Sequence, residues 1–168
     1  MGFIIDLDLS KCSACGACAI ACMDQNDIDI ESGEGPFRMA GVVENGEKNI
    51  YLSIACQHCD EPACIVACPC ACLKKDPATN FTVFDTTDCI GCHSCAIACP
   101  FGAPSFGPDG KMRKCDGCQV LVRQGLEPAC VATCPTGALS CRDERELKQA
   151  LVRRSLKAIA NQLGAVGK

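Results

Sequence analysis

A chain of 168 residues carries a formal net charge of −4, and 19 of the residues behind its 48% hydrophobic content are cysteine, with no tryptophan and a single tyrosine. Leu, Ile, Val and Phe together make up only about 22% of it, a thin supply for offsetting the conformational entropy of folding by burial of side chains alone. The acidic balance argues against nucleic acid as a ligand, and no apolar run approaches the roughly 20 residues that cross a bilayer.

The N-terminal MGFIIDLDLSKC has no basic n-region, long apolar stretch, cleavage site or twin arginine, and Asp6 stands where a myristoylation signal has Ser or Thr. A cytoplasmic location is expected. There disulfides are kept reduced, so dense cysteine reads as metal binding or catalysis; an odd total of 19 also leaves one over in a fully paired scheme.

Residues 3 to 7 read as a short strand. The first cysteine cluster follows: Cys12, Cys15, Cys18 and Cys22 in CSACGACAIAC, spaced C-x2-C-x2-C-x3-C. Apolar stretches flank Asn45-Gly46, a dipeptide suited to a two-residue type I′ turn, which predicts a β-hairpin over 37–54. The second cluster, CQHCDEPACIVACP, stretches one gap and holds Cys56, Cys59, Cys64 and Cys68. Residues 81 to 85 form another predicted strand. The third, CIGCHSCAIACP, repeats the first spacing with Cys89, Cys92, Cys95 and Cys99. The fourth, CDGCQVLVRQGLEPACVATCP, holds Cys115, Cys118, Cys130 and Cys134 around an insertion. Brief helices are expected at the end of each motif, as in CAIAC and CIVAC. A strand over 138–141 precedes a helix from about 143 to 163, with acidic residues first, basic ones through its middle and Gly164 after it.

Three thiolates within seven residues can curl around one face of a cuboidal iron–sulfur cluster, with loop N–H groups aimed at its sulfides. In the bacterial dicluster pattern the fourth cysteine ligates the other cluster of a pair, and the proline after it ends the turn. Zinc ribbons need two CxxC knuckles per ion and ask neither for a third cysteine two residues on nor for CP. Zinc and disulfides remain the alternatives to iron–sulfur on spacing alone.

The order of the four motifs, with CxHCxxPxC second and KCDGC opening the fourth, resembles the four-cluster ferredoxin-like electron-transfer subunits of molybdenum or tungsten bis-pterin oxidoreductases. These are the partner subunits of dimethyl sulfoxide reductase and formate dehydrogenase; the sequence is also similar to iron–sulfur subunits of formate-linked hydrogenase complexes such as hydrogen-dependent carbon dioxide reductase. The resemblance covers residues 5 to about 141 and does not specify the catalytic partner. It implies four [4Fe-4S] clusters with crossed ligation. Cys12, Cys15 and Cys18 would share a cluster with Cys134, and Cys115, Cys118 and Cys130 would take Cys22. Cys56, Cys59 and Cys64 would take Cys99, and Cys89, Cys92 and Cys95 would take Cys68. The implied fold is α+β, two interlocked ferredoxin-like modules of the bacterial dicluster ferredoxin type. Residues 1–50 and 106–141 would form the outer module, 51–105 an inner module inserted into it, and 142–168 a helical extension.

Other residues stand out. Cys70, Cys72 and Cys141 are surplus to these sets, and free buried cysteine is weighed against a ligand or redox role. His58 and His93 sit between cluster cysteines and could ligate iron, or else tune it from outside the ligand set. Lys111, Arg113 and Lys114 could steady an anionic cluster or form a solvated basic stretch. Four oxidised cubanes with thiolate ligands would bring the charge to about −12, which suits a partner with a basic docking patch. No Ser-His-Asp set, phosphate-binding glycine loop or paired carboxylate site is visible, so no catalytic residue is assigned.

The expected function is that of a non-catalytic subunit passing single electrons between a molybdenum/tungsten-pterin or hydrogenase subunit and an acceptor or donor. A freestanding soluble polyferredoxin is the alternative. On the C-terminal helix, Leu147, Ala150, Leu151 and Ala158 fall on one side while Val152, Leu156, Ile159, Ala160 and Leu163 fall nearly opposite. Two apolar stripes suit a helix held against another polypeptide, a catalytic partner or a second copy of this one; the plain alternative packs it on its own body with stray exposed leucines.

Overall fold

The computed structural model describes residues 2–162 and 164. Its elements are short because cysteine-bearing loops interrupt the chain at every turn. Strand β1 (Phe3–Leu7) lies antiparallel to β8 (Leu139–Asp143), pairing Phe3 with Asp143 and Leu7 with Leu139, so the first and last strands are tied together. Between them come helix α1 (Ala17–Gln25), strands β2 (Met39–Asn45) and β3 (Lys48–Ile54), helix α2 (Ala63–Val66), and strands β4 (Leu73–Lys75) and β5 (Thr82–Phe84). Helix α3 (Ser94–Ala98), strands β6 (Ser105–Phe106) and β7 (Met112–Arg113), and helices α4 (Gln119–Arg123) and α5 (Ala129–Ala132) complete the body, and α6 (Glu144–Gln162) closes the described chain. Every sheet has two antiparallel strands: β1–β8, β2–β3, β4–β5 and β6–β7.

The first, fifth and eighth strands coincide with expectation to within a residue or two. Strands β4, β6 and β7 were not foreseen, because two or three residues cannot display a period-2 pattern. The hairpin is present, but Asn45 pairs with Lys48, so its loop is Gly46-Glu47 rather than Asn45-Gly46. Only Gly46 takes positive φ, at 61°. Glycine first with an ordinary residue second fits a type II′ turn, and this corrects the expected type I′ turn by one residue.

Among the described residues three small apolar clusters replace a single core. Leu139 and Val131 pack with Cys18, Cys130, Ile5 and Leu7. Leu73 and Met112 pack with Cys95, Phe84 and Phe106, and Phe81, Val83 and Val122 with Phe3, Ile5 and Cys141. Cysteine contributes to each, so the thiols stand where aliphatic side chains would otherwise be. Helix α1 of the first motif packs on α5 of the fourth, and α2 of the second on α3 of the third.

Helix α6 starts where expected. Asp143 accepts the Arg145 N–H at its N-terminus and Gly2 O accepts that of Glu144, satisfying two of the amides a helix start leaves free. Leu147 is its one buried residue, set against the β1–β8 pair. Leu151, Val152, Leu156 and Ile159 are each at least half exposed, so the helix does not lay a full stripe on its own body; Leu163 lies outside the described residues. Among the described residues no helix is long and apolar enough to cross a membrane.

Candidate metal centre

Each motif bends the backbone by the same device. The residue before the second cysteine is left-handed in all four: Ala14 at φ 53°, His58 at 47°, Gly91 at 64° and Gly117 at 75°. Alternation of right- and left-handed residues turns successive N–H groups to one side and makes an anion-binding concavity. At Gly117 glycine is required twice over, since a Cβ there would stand 2.3 Å from Phe81 Cδ2 and φ is positive. After the fourth cysteine of the later motifs the turn repeats, with Ala71, Gly102 and Gly137 at φ 52°, 60° and 61°.

These turns aim backbone donors at sulfur. Gly117 N–H points at Cys115 Sγ (3.4 Å), Cys72 N–H at Cys68 Sγ (3.4 Å), Ala103 N–H at Cys99 Sγ (3.4 Å) and Met112 N–H at Cys89 Sγ (3.5 Å). Donors already placed around sulfur stabilise thiolate over thiol.

Thiols from different motifs lie near one another. Cys12, Cys15, Cys18 and Cys134 line one apolar hollow together with Leu7, Ala40 and Leu139. Cys68, Cys89, Cys92 and Cys95 line another, walled by Leu73, Phe106 and Met112. Cys22 lies close enough to Cys130, Cys115 and Cys118 for their charges to interact, Cys64 stands in the same relation to Cys56 and Cys99, and Cys115 also feels Cys56. Lys75 Nζ donates to the Cys59 carbonyl, which fixes the end of that second-motif loop. These neighbourhoods bring together thiols of different motifs. Among the described residues no three Cys, His, Asp or Glu side chains close on a point as they would around a single ion; thiols from different motifs line shared apolar hollows, and backbone N–H groups point at several of the sulfurs. That arrangement suits a cubane of iron and sulfide.

Burial is costly for the charged form. It pushes the Cys115 thiol far above its ordinary value and Cys118 up to about 11, and raises Cys22, Cys64 and Cys95. Such thiols give up protons only to strong positive charge, which iron supplies.

The protein adds positive charge of its own between the groups. Of the basic trio ahead of Cys115, only Lys114 is buried, at 1% exposure; its ammonium donates to the Thr82 and Cys115 carbonyls and stands 3.9 Å from Cys56 Sγ. Lys111 bonds the Thr87 carbonyl near the surface and Arg113 pairs with Glu34. Two further cations escaped the sequence reading. Lys75 donates to the His58 and Cys59 carbonyls at 2.8 and 2.9 Å. Buried Arg38 donates to Ser53 Oγ at 3.2 Å, which leaves the Ser53 hydroxyl proton free to reach Cys18 Sγ at 3.2 Å.

The two histidines part ways. His93 is exposed and stacks on Phe106 at 3.7 Å between centroids. His58 is buried; desolvation first, then the charges of Lys114 and Lys75, lowers its pKa to about 3, so the ring is neutral. Cys70 and Cys72 line the cavity of the third-motif group, with Cys72 buried, while Cys141 packs on β8 against Phe81, Val83 and Val122.

A family model described as a 4Fe-4S dicluster domain matches residues 47–144. The sequence is 42% identical over 158 residues to YnfG, a probable anaerobic dimethyl sulfoxide reductase subunit of Escherichia coli (strain K12), covering 88% of this chain and 76% of that one. It is 40% identical, with the same coverage, to the B subunit of anaerobic dimethyl sulfoxide reductase from the same organism. To the nitrate-inducible formate dehydrogenase iron–sulfur subunit of Escherichia coli it is 34% identical over 169 residues, covering 90% of this chain and 58% of that one.

Proposed function

This protein belongs to the 4Fe-4S dicluster family and binds 4Fe-4S clusters, and from that premise we propose that it is the non-catalytic electron-transfer subunit of a molybdenum- or tungsten-pterin oxidoreductase. Four clusters are held by 16 cysteines in crossed sets: Cys12, Cys15, Cys18 and Cys134; Cys115, Cys118, Cys130 and Cys22; Cys56, Cys59, Cys64 and Cys99; Cys89, Cys92, Cys95 and Cys68. The observation that carries this reading is the gathering of thiols from different motifs around shared cavities. When bound, the clusters supply one-electron carriers of low potential.

The protein's own residues set the order of the carriers. Cys18 and Cys22 lie four residues apart on α1, about 6 Å along the helix axis, and so join the first two sets. Helices α2 and α3, packed on each other, join the last two through Cys64 with Cys68 and Cys95 with Cys99. Cys56 and Cys115 bridge the middle. Apolar walls shield part of each hollow, with Cys15 and Cys92 left exposed, and Arg38, Lys75 and Lys114 offset the negative charge. The two interlocked modules follow from the same pairing, and the reducing cytoplasm is the compartment that suits it.

The partner docks on α6, whose Leu151, Val152, Leu156 and Ile159 are exposed. Anaerobic affinity purification of the full-length protein is expected to bring down a larger subunit with stoichiometric molybdenum or tungsten. Removing residues 149–168 keeps Leu147 and should release that subunit while all iron is retained. A monomer that reduces several unrelated enzymes, or a truncated protein that still holds its partner, would contradict this reading.

A further inference from the structure

Motifs two and four meet at one place, and they meet by exchanging side chains. His58 lies inside the second motif, between Cys56 and Cys59, with its ring tilted on Phe81 at 4.6 Å between centroids. The Thr82 backbone N–H donates to its Nδ1 at 3.0 Å. A backbone amide can only donate, so Nδ1 is the acceptor and the neutral ring carries its proton on Nε2. Nε2 faces Cys115 Sγ, a fourth-motif thiol, at 3.7 Å. Running the other way, Lys114 leaves the fourth motif beside Cys115 and brings its ammonium within 3.9 Å of Cys56 Sγ. Thr82 takes part in both arms, by its N–H toward His58 and its carbonyl toward Lys114.

We propose that His58 and Lys114 form a reciprocal bridge at the junction of the second-motif and fourth-motif centres, in which the His58 Nε2–H is a hydrogen-bond donor to Cys115 and sets the reduction potential of a centre to which the histidine's own motif does not belong. The inference rests on the cluster assignment above and adds a positioning role for two residues that ligate nothing. A donor to a cluster thiolate stabilises the added electron and raises the potential; its loss lowers it. The Lys114 charge lies near both groups and acts on both. The ring also completes a bonded route from Cys56 to Cys115 with one hydrogen bond as its only non-covalent link. On the cluster assignment above, the bridge lies between the second-motif and fourth-motif centres. The left-handed backbone at His58 serves the same end, by turning the ring out of its own loop.

The sequence contains two histidines, which makes the test selective. With exposed His93 replaced (His93→Gln) and the imidazole ring of the remaining histidine labelled with nitrogen-15, pulsed paramagnetic resonance of the reduced holoprotein should detect one ring nitrogen-15 coupling and, beside the backbone N–H of Gly117, an exchangeable proton that His58→Asn removes. Both should belong to the centre whose signal changes in Cys115→Ser. His58→Asn tolerates the left-handed backbone but cannot reach Cys115. It should lower the midpoint of the Cys115 centre and leave the centre that responds to Cys56→Ser unmoved, whereas Lys114→Met should lower both. If His58→Asn does not load iron, the labelled parent protein still decides. Reducible centres without a nitrogen-15 coupling, a coupling at the Cys56 centre, or a shift confined to that centre in His58→Asn would overturn the bridge. A protein with no iron–sulfur signals at all would overturn the cluster assignment with it.

Discussion

Replacing Cys22 with alanine should remove the redox centre that Cys118 belongs to and leave the centre of Cys15 in place, although Cys22 stands in the same motif as Cys15. The reason lies in the geometry of α1. Cys18 and Cys22 are both buried on that helix, but Cys18 lines the cavity it shares with Cys12, Cys15 and Cys134, while Cys22 is placed with Cys130, Cys115 and Cys118. Alanine takes away one thiolate and opens a gap beside the buried Cys115 and Cys118. A cubane left with three ligands in such a site loses iron, so the variant should carry about four irons fewer than the parent. Paired spectra of Cys22→Ala, Cys118→Ala and Cys15→Ala provide the check. If the Cys22 and Cys15 variants lost one and the same centre while Cys118→Ala kept it, the crossed arrangement would be wrong.

The second large effect is on folding. Stripping iron and sulfide from the anaerobic protein under reducing conditions should abolish its tertiary structure, not merely its redox activity. The largest side chains with almost no exposure are few, Phe81, Lys114 and Met112 among them, and full burial of an apolar side chain is worth about 1.5–3 kcal/mol. Against this stands a backbone cost of about 1–2 kcal/mol for each ordered residue. Metal sites in other small domains contribute on the order of 10 kcal/mol apiece, comparable with the whole net stability of an ordinary domain. Iron loading therefore decides whether this protein folds. Hydrogen exchange followed before and after chelation should show protection of the β4–β5 and β1–β8 amides collapsing with the iron; protection that survives complete removal of iron would show that the apolar clusters suffice.

Much of this was legible in the sequence because cysteine spacing is a direct record of geometry. The four cysteine motifs and the prolines after Cys68, Cys99 and Cys134 could be read directly, as could strands β1 and β8 and the start of α6. What escaped depended on long-range packing. Lys75 and Arg38 look like ordinary surface cations in sequence, and only the fold puts their heads among carbonyls and thiols. Lys114 could not be told from Lys111 and Arg113 by composition, since burial alone distinguishes it. The tautomer of His58 is set by an amide 24 residues away. The register of the hairpin was misplaced by one residue because Asn45-Gly46 and Gly46-Glu47 both satisfy a two-residue turn, and strand pairing chooses between them. In α6 the double apolar pattern was visible, but nothing in it said that the body would end at Leu147.

The claim on which the rest depends is that 16 of the 19 cysteines hold four cubanes. Iron and acid-labile sulfide measured on the anaerobically purified full-length protein should each come to about 16 per molecule, four of each per cubane. Stoichiometric zinc with negligible sulfide, or about half that content of iron and sulfide in a fully folded protein, would contradict it.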